Sequence, residues 1–220
     1  MSSALKIAGL VLLALLAALA GMWLARVQAP SAAAPAESPA LALEHATVFP
    51  APRLLPDFEL LDQNSLPFGP DRFNGHWSFV FFGFTNCPDV CPTTLATLAA
   101  TRRELASMAA AEQPEVVLVS VDPGRDKPER LAQYVAFFDP SFTGVTGDPA
   151  RIRQLSEALG VAVIIGPADA NGNYTVDHSA TVFLVDPQGR LVAVFSTPHT
   201  PDGIAHDYRL ILQRLADNPS

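Results

Sequence analysis

Residues 78–105 read SFVFFGFTNCPDVCPTTLATLAATRREL. Phe79, Val80, Phe81 and Phe82 form an unbroken apolar run, the pattern of a strand buried on both faces. Beyond Pro92 the period changes. Leu95, Leu98, Ala99, Leu105 and Met108 recur at helical spacing opposite Arg102, Arg103 and Glu104, which predicts a helix over 92–111. A buried strand that turns directly into a long helix opens a βαβ unit. Outward from it, residues 116–121, 161–165 and 182–185 repeat the buried-strand pattern, and 127–138, 148–159 and 201–216 repeat the helical one. Asp186-Pro187-Gln188-Gly189 joins the run at 182–185 to 191–195 as an antiparallel hairpin. The expected fold is α/β, a mixed central β-sheet flanked by helices.

Composition narrows the function. Of 220 residues, 49% are hydrophobic and only 16% charged, too apolar for a disordered chain. The net charge of −8, without a basic stripe, argues against nucleic acid as a partner. Two cysteines are too few for a disulfide framework or a four-cysteine zinc site. Much of the hydrophobic excess lies at residues 7–25, IAGLVLLALLAALAGMWLA, which carry no charge. As a helix this run spans about 28 Å, near the thickness of a bilayer core. It predicts an N-terminal transmembrane helix within an anchor at residues 1–26. Ala18-Leu19-Ala20 allows a cleaved signal peptide as the alternative, and either one exports the rest of the chain. Residues 27–56 carry Pro30, Pro35, Pro39, Pro50, Pro52 and Pro56 and read as an extended tether. The folded domain is expected at 57–220.

Both cysteines fall in Cys87-Pro88-Asp89-Val90-Cys91-Pro92, between the buried strand and the long helix. Backbone N–H groups at a helix N-terminus stabilise anions, so thiolates are expected to form readily there. Spacing of i and i+4 brings two sulfurs to one face of a helical turn. Cys87 is expected in the loop and Cys91 at the helix start. Two buried structural cysteines or a plain disulfide would be the bland reading, but neither requires a strand-to-helix corner with a proline after each cysteine. Soft sulfur ligands select copper(I), zinc or iron–sulfur clusters, and two sulfurs with one imidazole suit copper. Of His45, His76, His178, His199 and His206, His76 lies in a Gly-containing loop before the strand at 79–82, and His178 lies directly before the buried strand at Val182. Position alone leaves it open between ligand and structural histidine. Asp177 beside it either orients the imidazole or caps a turn. Asp169-Ala170-Asn171-Gly172-Asn173 has the wrong spacing for a calcium loop and reads as a turn.

These residues resemble the Sco/SenC family of copper-binding cytochrome c oxidase assembly proteins. Phe82-Gly83-Phe84-Thr85-Asn86-Cys87-Pro88-Asp89-Val90-Cys91-Pro92 looks like its signature. Ser120-Val121-Asp122-Pro123 with Arg125 and Asp126 looks like its second motif, and Val176-Asp177-His178-Ser179 like its third. The resemblance covers about residues 55–216. It implies a thioredoxin-like fold and one copper ion, as Cu(I) or Cu(II), held by Cys87, Cys91 and His178. It also implies delivery to the dinuclear centre of cytochrome c oxidase subunit II or to another exported cuproprotein. The place implied is the periplasmic face of a bacterial-type inner membrane, with a single membrane pass. Asp122 and Asp126 then lie near the metal loop, where they serve docking or simply shape a turn with Asp126 as helix cap. Asn86 departs from the pattern, standing where many family members carry histidine. The competing readings are a thiol–disulfide oxidoreductase that keeps the target's cysteines reduced, and a copper or redox sensor. Metal delivery would make the protein a carrier and not an enzyme.

Overall fold

The computed structural model describes residues 3–28, 42–170 and 174–217. The chain divides into two compact units, Met1–Leu41 and Ala42–Ser220. The first contains helix α1, Ser3–Gln28, rich in the strong helix formers Ala and Leu. Its described side chains, Gly9 and residues 12–24, are all exposed. Among the described residues no helix is long and apolar enough to cross a membrane, so the structure lends the expected anchor no support. Part of the expected tether, residues 29–41, lies outside the described residues.

In the second unit the chain runs β1 (Ala46–Leu54), β2 (Leu60–Asp62), β3 (Pro67–Phe68), β4 (Ser78–Gly83), α2 (Val90–Glu104), β5 (Glu115–Ser120), α3 (Pro128–Phe138), β6 (Thr143–Thr146), α4 (Pro149–Ala158), β7 (Val163–Ile165), β8 (Val176–His178), β9 (Val182–Val185), β10 (Arg190–Phe195) and α5 (Pro201–Asp217). The main sheet orders these strands β1-β10-β9-β4-β5-β6-β2-β3. Strands β4, β5 and β6 are mutually parallel, joined through α2 and α3, and the other pairings are antiparallel. The mixed sheet, the three later helices and the β9–β10 hairpin therefore stand as expected. All six residues of central β4 are buried, as a strand covered on both faces requires.

Three expectations fail. Residues 46–54, assigned to the tether, form edge strand β1 against β10. Pro50 and Pro52 fall between the paired positions Val48 and Arg53, where the register shifts. Proline has no N–H to offer a ladder, and an edge strand with a bulge accommodates it. Asp207 on α5 fixes the start of β1 by accepting the backbone N–H groups of Glu44 (2.9 Å), His45 (2.7 Å) and Ala46 (2.8 Å). Second, the helix expected over 92–111 stops at Glu104, with a 3-10 turn following at Ala110–Glu112. The Gln113 side chain donates to the Ala106 and Met108 carbonyls, satisfying acceptors outside the helix. Third, residues 161–165 are no core strand. Strand β7 pairs only with β8, apart from the main sheet, and leaves Ile164 65% and Ile165 60% exposed.

Candidate metal centre

Strand β4 ends at Gly83 beneath the helix start. A Cβ there would lie 3.0 Å from Cys91 Sγ and 3.0 Å from the Phe81 ring, so glycine leaves the buried sulfur room to sit close to the sheet. The loop then turns on a hydrogen bond from Cys87 N–H to the Phe84 carbonyl (3.3 Å). Cys91 stands in the first turn of α2, fully buried, and donates its backbone N–H to Cys87 Sγ at 3.3 Å. That sulfur thus takes up one of the amides that a helix start leaves unpaired. Cys87 is half-buried, and both cysteines are free.

His178 closes β8, and its imidazole lies edge-on to the rings of Phe81 and Phe84, each 5.8 Å away. Its Nδ1 is 3.0 Å from the Ser179 carbonyl, which can only accept. The proton of the neutral ring therefore sits on Nδ1, and Nε2 presents its lone pair 3.3 Å from Cys91 Sγ. Cys87, Cys91 and His178 bring three ligand atoms within 4.8 Å of one another, the arrangement expected of them. Burial pushes the His178 pKa down, against the Ser179 hydrogen bond and the Asp177 charge, so the ring stays neutral. Burial also pushes the Cys91 thiol up, together with the Cys87 contact and against the Phe84 backbone contact. The easy thiolate expected from the helix terminus is reversed at this sulfur, because desolvation outweighs the terminus.

The three aspartates do not join this cluster of donors. Asp177 is exposed, and the hydrogen bond that orients the imidazole comes from the Ser179 carbonyl. Asp126 is fully buried and accepts from Thr85 N–H (2.9 Å), Thr85 Oγ1 (2.6 Å) and Ser120 Oγ (2.7 Å). It therefore holds the loop that carries Cys87. Asp122 accepts from Tyr174 Oη at 2.5 Å and pairs with Arg125. Asn86, the departure from the family pattern, receives Arg130 on its side-chain oxygen. Sequence reasoning missed Tyr174, Phe84 and the Ser179 carbonyl. Only Tyr174 left a signal, as an aromatic just after a polar turn and four residues ahead of His178. Residues 171–173 of that turn lie outside the described residues.

Fold and cluster together define a thioredoxin-like domain that presents a dithiol and an imidazole at a strand-to-helix corner. The SCO1/SenC family matches residues 48–213, and the chain belongs to that family. It is 38% identical over 174 residues to a candidate copper-binding protein of Stutzerimonas stutzeri, covering 78% of this chain and 81% of that one. It is 34% identical over 153 residues to the human mitochondrial SCO2 homolog, covering 70% of this chain and 58% of the human protein. The structure of Bradyrhizobium japonicum ScoI with copper bound is similar at a TM-score of 0.64 and 35% identity, covering 72% of this chain and 99% of that one.

Proposed function

We propose that this chain is a copper chaperone whose cargo is one copper ion, bound by Cys87, Cys91 and His178. The observation that carries the reading is the convergence of two sulfurs and one imidazole nitrogen within 4.8 Å. Two soft sulfurs and one imidazole suit trigonal copper(I), whereas structural zinc takes four protein ligands. Among the described residues no further His, Cys, Asp or Glu completes a set of four. The rings of Phe81 and Phe84 pack edge-on against the imidazole, and the Ser179 carbonyl holds its free lone pair toward the sulfurs. Copper bound to relatives of this family supports the same reading.

Cargo transfer follows from unequal exposure. Cys91 is sealed beneath the helix start, while Cys87 and His178 are only partly covered, so an incoming ligand meets these two first. Stepwise replacement of donors would move copper to a docked acceptor, which we take to be the dinuclear copper centre of cytochrome c oxidase subunit II. The uncharged run at 7–25 supports a membrane anchor that places the domain on the periplasmic face of a bacterial-type inner membrane. The experiment is transfer: the copper-loaded chain is mixed with the apo copper domain of subunit II, and the appearance of the dinuclear centre's absorption is followed. Transfer at equimolar protein is expected. Retention of copper by this chain, with no acceptor spectrum, would overturn delivery.

One observation favours a second reading. A half-exposed Cys87 whose sulfur meets the amide of a buried Cys91 is the layout of a thiol–disulfide reductase, with Cys87 as attacking thiol. Catalysed reduction of an oxidised acceptor by the copper-free dithiol, unaffected by His178→Ala, would decide for that chemistry.

A further inference from the structure

The donors of the site come from two separate pieces of structure. The cysteines ride on the β4–α2 corner, while His178 rides on the β7–β8 ribbon, which has no ladder to the main sheet. Besides the contacts of His178 itself with Cys91, Phe81 and Phe84, a further set of side chains links the two. Arg125, in the loop after β5, donates from Nη1 to the Tyr174 carbonyl at 3.2 Å, and its guanidinium lies 3.8 Å from the centre of the Tyr174 ring. On its other side the same guanidinium lies 5.9 Å from the centre of the Phe84 ring, which packs edge-on to His178. Tyr174 Oη donates to buried Asp122, which also pairs with Arg125. From Asp122 the contacts continue through Ser120 Oγ to Asp126, and so to Thr85 in the cysteine loop.

We propose that Tyr174, Arg125 and Asp122 form a strap that positions His178 against the dithiol, making them positioning residues for metal capture that touch no metal themselves. The proposal deepens the copper reading and rests on it. The strap grips the ribbon at Tyr174, four residues from the ligand, and reaches the ligand's own wall through Phe84. A two-stranded ribbon is marginal by itself, so losing this grip frees His178 while the dithiol stays in place. Separation of the imidazole from the sulfurs then costs affinity before it costs the fold.

The test uses the full chain and Tyr174→Phe, which removes one hydroxyl and keeps the ring over Arg125. Without metal, hydrogen exchange is read at the ribbon amides of Gly166 and Ser179, which bond to Thr175 and Ala162, and at Thr85 in the cysteine loop. The ribbon amides are expected to exchange about 5-fold faster while Thr85 is unchanged. Copper(I) affinity, measured against a competing chelator, is expected to fall about 10-fold in Tyr174→Phe. In a His178→Ala background the same change should move it less than about 2-fold, because the strap works through that imidazole. Arg125→Lys should repeat both effects. Unchanged ribbon exchange, or a full 10-fold loss in the His178→Ala background, would overturn the strap. A parent chain that binds no copper overturns the copper reading instead, and the metal-free exchange arm tells the two failures apart.

Discussion

Asp207 should govern both the stability of the domain and its response to acid. Its carboxylate is fully buried and accepts three backbone N–H groups, from Glu44, His45 and Ala46, with His206 beside it at 3.2 Å. Asp207→Asn keeps the shape and one accepting oxygen but removes the charge. A hydrogen bond to a charged group contributes about 1.5–3 kcal/mol and a neutral one about 0.5–1.5, so a loss of about 1 kcal/mol at each of the three bonds amounts to roughly 3 kcal/mol. At about 2–4 °C per kcal/mol for a domain of this size, the melting temperature at pH 7 should fall by roughly 6–12 °C. Acid adds a sign. Burial pushes the Asp207 carboxyl up, but the three amides outweigh it and hold the pKa below the ordinary carboxylate range. The stabilisation is therefore complete above the unfolded carboxyl's pKa of about 4, and it is lost as pH falls through the lower folded value. Urea unfolding of parent and variant, followed by circular dichroism from pH 7 downward, should show a gap that closes at the acid end. A gap under about 0.5 kcal/mol at pH 7, or one that persists undiminished through the acid titration, would refute the assignment.

Two further substitutions probe the corner that carries the cysteines. Asp126→Ala strips the partners from Thr85 and Ser120 inside the protein and should cost about 3–5 kcal/mol in urea unfolding, whereas an effect below about 1 kcal/mol would show that water replaces the carboxylate. Gly83→Ala places a methyl 3.0 Å from Cys91 Sγ and 3.1 Å from Leu118, so stability should fall by about 1–3 kcal/mol and copper(I) affinity with it. Unchanged affinity would show that the sulfur need not lie so close to the sheet.

The central frame was legible because periodicity and burial coincide there. Residues 79–82 lie within β4, 182–185 form β9 as expected, and the helix expected over 148–159 forms as α4, Pro149–Ala158. The site was legible because Cys87, Cys91 and His178 are rare residue types at structural corners. What could not be read depends on contacts distant in sequence. Residues 46–54 look like tether because their prolines hide a strand whose start is fixed by Asp207, some 160 positions away. Residues 161–165 carry the pattern of a core strand, yet only Val161 joins the core and 163–165 form an exposed ribbon, since apolar runs do not reveal their partner. Asp177 was a plausible orienting group from adjacency alone, but strand alternation turns it outward and leaves that role to a backbone carbonyl.

Copper(I) affinity of the reduced chain and of His178→Ala, measured side by side against the same competing chelator, tests the central claim most directly. The account predicts one copper per parent chain and a loss of about 10-fold or more without the imidazole. Weak binding that is the same with and without His178 would contradict it, and would leave Cys87 and Cys91 as a dithiol whose work is reduction.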